Sequence, residues 1–274
     1  MKPDTAISRL LVNTMPRSGT RYVLDVLARL FDLQVIDCRF TGGPHATPPN
    51  WNSYDEDETY STLQPGQAVH SHCPCSLKVA RFSDQPGALI VYAYRDPRDV
   101  CVSAALFIKY RATTHPFHNL FACLTEAECI TLMLAGFRIP VAELAYQPPA
   151  SDCDHIAFAG MTYFCQRVYP WLADPRTCTL RFEDIVAAPI EALTEALDHA
   201  GAAYDRQRLA ALLDGFVIRS GGRTAGHEDK SAHYRKGIVH DYRNYFTPAH
   251  RALCKSQIGD DLVRLGYETG YNWT

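Results

Sequence analysis

Several things are scarce in this sequence, and each scarcity excludes a class of protein. Charged residues make up only 21% of the 274, and 27 basic against 30 acidic side chains leave a net charge of −3. That balance argues against a surface that coats nucleic acid or anionic membrane, since both need a basic excess. It leaves room for a small anionic ligand, for which a few local cations suffice. No run approaches the ~18 apolar residues of a membrane span. The opening MKPDTAISRLL has no basic segment followed by an apolar one, so no secretory signal is expected and the chain reads as cytoplasmic. Reduced thiols follow from that compartment. The ten cysteines include no C-x-x-C pair; the closest two, Cys73 and Cys75, have redox and zinc spacing of neither kind. They read as small core residues, not as a disulfide scaffold. Internal repeats and low-complexity tracts are absent as well.

What is present is a core and an alternation. Hydrophobic residues reach 47%, enough for a substantial interior. Length alone, at ~150 residues per domain, allows two domains, but one α/β domain of this size is ordinary. A strand is expected over Leu10 to Asn13, then a short turn. From Arg21 a helix follows, whose Val23, Val26, Leu27 and Leu30 share one face. Residues 41 to 66 read as irregular, and Gln67 to His70 as a strand. ALIVYAY, Ala88 to Tyr94, is apolar almost throughout, as a parallel strand buried on both faces should be. Helices are predicted over Asp99 to Tyr110, Thr125 to Leu144 with a break at Pro140, and Ile156 to Trp171. A strand is expected over Cys178 to Phe182, and helices opening at Pro189 and at Thr247-Pro248. The Gly-rich stretch from Ser220 to Ser231 reads as a mobile loop. The pattern predicts an α/β fold with a parallel sheet.

Three segments carry residues suited to an anion. Pro16-Arg17-Ser18-Gly19-Thr20 joins the first strand to the first helix, and helix-start N–H groups, a guanidinium and two hydroxyls suit a phosphate or sulfate. On its own it fits a helix cap by Ser18 or Thr20 at least as well. It is not a Walker A loop, because Thr14 and Thr20 stand where the first glycine and the lysine belong. Arg95 ends the ALIVYAY strand, where open α/β sheets bind ligands, and Ser103 lies on the next helix. An isolated arginine there would usually partner Asp96 or Asp99. Arg235-Lys236-Gly237 follows the mobile loop and can close over an anion; alone, it reads as a solvated dibasic pair.

Taken together, in this order, the three segments resemble the sulfotransferases that use 3′-phosphoadenosine-5′-phosphosulfate (PAPS). The resemblance runs from about Leu11 to Leu265 and is strongest at the motifs. It implies a single domain over residues 1–274, with a P-loop-NTPase-like α/β fold, a central parallel sheet flanked by helices and a phosphosulfate-binding strand–loop–helix. Acceptor-binding insertions are implied at about 39–66 and 107–160, and a mobile loop at about 220–233. It further implies that Arg17, Ser18, Gly19 and Thr20 cradle the 5′-phosphosulfate and that Arg21 is cofactor-binding as well. Arg95 and Ser103 would hold the 3′-phosphate, and Arg235, Lys236 and Gly237 would close over it. Tyr22 takes the place of an adenine-stacking aromatic; Phe182 and Phe216 match further adenine contacts, and Phe182 lacks the hydroxyl of the more usual Tyr.

In the family a Lys-x-His-x-Pro-like segment supplies the general base. Here it reads His70-Ser71-His72-Cys73-Pro74, which puts His72 in the base position and His70 where the lysine stands. Without the resemblance, the two histidines read as structural or metal-binding neighbours on one sheet face; no metal is assigned. The implied reaction moves a sulfuryl group from PAPS to a hydroxyl or amine and releases 3′-phosphoadenosine-5′-phosphate (PAP). His72 is the base and Arg17 a fixed cation. The implied partner is a small-molecule acceptor. Phe107, Tyr110, Phe117 and Phe121 fit either an acceptor pocket or a core, and Asp55 to Glu58 a solvated face. The family's dimer segment is degenerate here, with Arg243, Thr247, Pro248 and Ala252 at its key places, so the oligomeric state stays open. Two rivals stand beside this reading: a phosphate-loop nucleotide kinase, and a non-catalytic PAP-binding protein.

Overall fold

In the computed structural model the described residues are 5–36, 63–76, 81–113, 115–143, 154–215, 228–230 and 235–274. Their strands are β1 (Thr5–Ala6), β2 (Arg9–Thr14), β3 (Gln34–Val35), β4 (Gln67–Ser71), β5 (Ala88–Tyr94), β6 (Phe137–Pro140), β7 (His155–Phe158), β8 (Thr177–Arg181) and β9 (Ala202–Ala203). Their α-helices are α1 (Thr20–Leu30), α2 (Pro97–Tyr110), α3 (His118–Cys123), α4 (Glu126–Ala135), α5 (Met161–Ala173), α6 (Phe182–Ala187), α7 (Pro189–Ala200), α8 (Arg206–Gly215) and α9 (Pro248–Arg264). The chain forms two units: Met1–Ala46 with Asn50–Arg95 and Arg167–Ile218, and Thr47–Pro49 with Asp96–Gln166 and Arg219–Thr274.

The first unit is built on a five-stranded sheet in the order β3-β4-β2-β5-β8, parallel throughout. Strands β2 and β5 are central, which explains why Leu10, Leu11, Val12, Leu89, Ile90 and Val91 are all buried. The apolar stripe of α1, Val23, Val26, Leu27 and Leu30, packs with Leu10, Val12, Val91, Leu180 and Leu197 in one core. Each such side chain contributes roughly 1.5–3 kcal/mol when fully buried. Because the strands are parallel and in register, Asn13 lies opposite Ser71 and Tyr92. The chain therefore leaves β2, β4 and β5 on one edge of the sheet, the edge that binds ligands in such folds.

In the second unit α2 starts two residues before the sequence pattern suggests. Asp96 caps it, accepting the Arg98 N–H, and Pro97 occupies its first turn. Helix α4 opens with a capping box between Thr125 and Glu128. The helix expected to run to Leu144 stops at Ala135, because Gly136 takes φ 80 and ends it. Phe137–Pro140 instead forms an antiparallel ribbon with His155–Phe158, the segment expected to begin the next helix. Pro140 sits at the end of a two-stranded ribbon, where its missing N–H costs little. Gly136 and Gly160 close the same end of the ribbon back to back. A Cβ on Gly136 would lie 2.4 Å from the Phe158 carbonyl oxygen, and one on Gly160 2.4 Å from that of Leu134. Helix α9 starts at the expected proline, with Thr247 as its cap and His250 completing the capping box. The Thr of the degenerate dimer segment is thus a helix cap.

Candidate anion and transfer site

Strand β2 delivers Met15-Pro16-Arg17-Ser18-Gly19 to the start of α1. Arg17 adopts φ 68 and Gly19, the N-cap residue, φ 85, so the loop turns through two left-handed positions. No side chain caps α1. The simple capping role considered for Ser18 or Thr20 is therefore absent, and the first-turn N–H groups keep their capacity for an anion. Ser18 is fully buried, and its Oγ has no hydrogen-bond partner among the described residues. Leaving such a group unmade costs about 1–3 kcal/mol. A Cβ at Gly19 would lie 3.1 Å from Cδ2 of Phe182, so glycine lets the loop settle on that ring. The Arg95 guanidinium stacks over the same ring, 4.3 Å from its centroid, and donates from Nη1 to the Arg17 carbonyl at 3.3 Å.

His72 lies one residue past the end of β4. Its Nδ1 is 2.9 Å from the Thr14 carbonyl oxygen, an acceptor only, so Nδ1 carries the proton and Nε2 keeps a lone pair. Thr14 Oγ1 is 3.1 Å from the same nitrogen and 2.7 Å from Thr20 Oγ1, which links the histidine to the first turn of α1. The ring keeps an intermediate exposure, yet protein packs around it closely enough for desolvation to pull its pKa down to about 4. The Thr14 hydrogen bond opposes this shift, while the positive potential of His70, Arg167 and Arg17 adds to it. His72 is therefore neutral at pH 7. His70 stands edge-on to it, with ring centroids 6.3 Å apart.

Within the first unit the structure thus gathers Arg17, Ser18, Gly19, Thr20, His72, Arg95 and Phe182. Arg21 is exposed on α1, where its charge acts on Asp25. Tyr22 lies among the core residues of this unit. It is 4% exposed and packs in the core of the sheet and α1, and desolvation drives its hydroxyl up to about 12. As the chain stands, that ring is core and offers no open face for a base. Phe216 and most of the loop around 220–233 lie outside the described residues.

In the second unit Ser103 is buried on α2. Asp96 chelates Arg98, and Asp99 accepts the backbone N–H groups of His240 and Tyr242 at 2.8 and 2.9 Å. Asp99 thereby fixes the segment that follows Gly237. Arg235 and Lys236 are paired with acids the sequence did not single out as counter-ions. Arg235 pairs with both Glu228 and Asp241, and its Nη1 lies 3.0 Å from the Tyr245 hydroxyl. Lys236 Nζ is 3.0 Å from Asp241 Oδ1 and 3.9 Å from Glu228 Oε2. Burial works against ionising both carboxyls. Hydrogen bonds from Tyr245 and Arg235 to Glu228, and from Asn244 and Arg235 to Asp241, nevertheless hold each below its ordinary range. Phe117 and Phe121 are core: both are buried in an aromatic cluster with Phe137, and Phe117 also meets Phe158. Tyr110 is exposed and donates to Glu126 at 2.7 Å.

The described cysteines are all unbridged, and six of them are buried. No helix among the described residues is long and apolar enough to cross a membrane. A family model described as the sulfotransferase domain matches residues 8–264. No curated protein matches the chain. Solved structures do. A mouse sulfotransferase, SULT7A1, complexed with PAP, is 17% identical with a TM-score of 0.60, over 96% of this chain and 89% of that one. Retinol dehydratase in a complex with retinol and PAP is 16% identical with a TM-score of 0.58, over 95% and 82%. The same protein with androsterone and PAP is 15% identical with a TM-score of 0.59, over 93% and 80%. At these identities the likeness is one of fold.

Proposed function

The chain belongs to the sulfotransferase domain family, and from that premise we propose that it moves a sulfuryl group from PAPS to a hydroxyl or amine of a small molecule. The observation that carries the proposal is the pairing at one sheet edge. An anion loop holds an unsatisfied Ser18 hydroxyl, and a neutral His72 has a lone pair on Nε2. PAP in the solved relatives supports the choice of donor, and retinol and androsterone beside it support a small-molecule acceptor.

In this reading the acceptor oxygen or nitrogen attacks sulfur while its proton passes to His72 Nε2. The bond between sulfur and the bridging oxygen breaks, and the electron pair leaves on the 5′-phosphate of PAP. Ser18, the first-turn N–H groups of α1 and Arg17 meet the charge that develops on that bridge. Arg17, with a pKa above ~12, acts as a fixed cation and not as an acid. Arg95, Ser103, Arg235 and Lys236 are assigned to the 3′-phosphate, and Phe182 to the adenine side, where a base would have to take the place of the Arg95 guanidinium over its ring. At pH 7 the imidazole already stands in its proton-accepting form, and positioning does most of the remaining work.

The test is transfer from sulfur-labelled PAPS to a panel of phenols, alcohols, sugars and amines, with thermal shifts by PAP and ATP measured in parallel. A labelled product and a shift with PAP but not ATP are expected. A shift with ATP and phosphorylated product would instead establish a nucleotide kinase. PAP binding with no product from any acceptor would leave a binding protein.

A further inference from the structure

Asn13 is a completely buried polar side chain in a strand whose other buried residues are Leu10, Leu11, Val12 and Thr14. Strand register sets it opposite Ser71, the last residue of β4. Its amide is bound at both ends to the two neighbours of His72. Nδ2 donates to the Cys73 carbonyl at 2.9 Å; Oδ1 accepts the Ser71 hydroxyl at 2.8 Å and the Cys73 N–H at 3.0 Å. Two side chains of α5 complete the fastening: Trp171 Nε1 donates to the Cys73 carbonyl at 3.3 Å, and Arg167 Nη2 to that of His72 at 2.8 Å.

The reason for a polar residue lies in the ladder. Strand β4 and its pairing with β2 end at Ser71, so the backbone of His72 and Cys73 lies beyond the ladder. The Thr14 carbonyl goes to the His72 ring. A Leu at position 13 would fill the same space and bury more cheaply, but would leave the Cys73 N–H without its best acceptor.

We propose that Asn13 is a positioning residue for sulfuryl transfer: it replaces the missing ladder with a side-chain clamp that holds Ser71 to Cys73 so that the His72 ring meets Thr14 and presents Nε2. The proposal rests on His72 as the base. The clamp acts on both flanks of the histidine, so loosening it turns the ring away without touching the anion loop.

The experiment compares Asn13→Ala with wild type, each alone and combined with His72→Ala, measuring kcat, PAP affinity and the titration of the His72 imidazole by NMR. Misplacement of a base by about 1 Å predicts a kcat loss of roughly 10²-fold, with PAP affinity within about threefold, under ~1 kcal/mol. In the His72→Ala background the same substitution should cost nothing further. The imidazole should titrate nearer its ordinary value of about 6.5 than in wild type. Equal kcat losses in both backgrounds would overturn the proposal, as would an unmoved titration. If wild type transfers no sulfuryl group, the functional reading fails by itself and the titration alone decides whether Asn13 holds His72. Should Asn13→Ala not fold, Ser71→Ala removes one donor and must show the same directions at a smaller size.

Discussion

The two groups of polar residues meet their needs in opposite ways. The loop from Arg17 to Gly19 is formed but unfinished: among the described residues Ser18 Oγ has no partner, and no side chain caps the first turn of α1. The charges of Arg235 and Lys236 are already paired with Glu228 and Asp241, and Arg235 also bonds the Tyr245 hydroxyl. An anion arriving at the first gains contacts that nothing else supplied. An anion arriving at the second must displace or share acids that already hold the cations, at a cost in desolvation and broken ion pairs. The first arrangement leaves a hydroxyl and a helix start open in the ligand-free protein, whereas the second has its charges paired and leaves only the Arg235 Nε without a hydrogen-bond partner among the described residues.

The largest expected effect tests whether chemistry sits at the unfinished loop. His72→Ala should lower kcat by roughly 10²–10⁴-fold while PAP affinity stays the same; wild-type turnover would remove His72 from the reaction. Next comes acidity. His72 titrates near 4 in the fold and about 6.5 when unfolded, so between these values the unfolded chain binds more protons. Stability should therefore be complete above pH ~6.5 and fall as pH drops toward 4. His115, lowered to about 3 by desolvation, acts in the same direction. Denaturant midpoints at pH 7 and pH 5 check this, and a midpoint higher at pH 5 would refute it. In the same range kcat/KM for PAPS should hold to about pH 5 before His72 protonates.

Two smaller effects bear on the comparison itself and have opposite signs. Ser18→Ala should stabilise the free protein by about 1 kcal/mol by removing an unmade hydrogen bond, yet weaken PAP binding several-fold. Glu228→Gln should destabilise the free protein by up to about 1 kcal/mol and tighten PAP binding by roughly threefold, since a competing charge is gone. Melting curves and calorimetric titrations with PAP read both. If the two variants change stability in the same direction, the contrast between the sites is false.

Much of this was legible in the residues. Strand β5 spans the very seven residues of ALIVYAY, because a run apolar on both faces has no other home in a parallel sheet. Pro189 and Thr247-Pro248 open helices because proline belongs in the first turn. The order of the anion motifs carried the functional reading. The β6–β7 ribbon was not legible: its apolar residues also fit a helical stripe, and only the left-handed turn at Gly136 tells them apart. Tyr22 carries the same ambiguity, since a ring on an amphipathic helix can face core or ligand at the same spacing. Asn13 and Glu228 were invisible as partners because a polar residue's neighbours across the fold leave no mark on its own sequence surroundings.

The paired glycines at the end of that ribbon set a rule for how this part of the chain can diverge. Each lies against backbone next to the other, so a methyl on either collides with main-chain atoms that cannot swing aside as a side chain can. A methyl on Gly136 meets the backbone from Phe158 to Gly160, and one on Gly160 meets the end of α4 and Gly136, so substituting both relieves neither collision. No sequence of single replacements leads away from the pair while the ribbon stands. Variation here must come by changing the length of the ribbon or the residues along it, with both hinges of the design held constant.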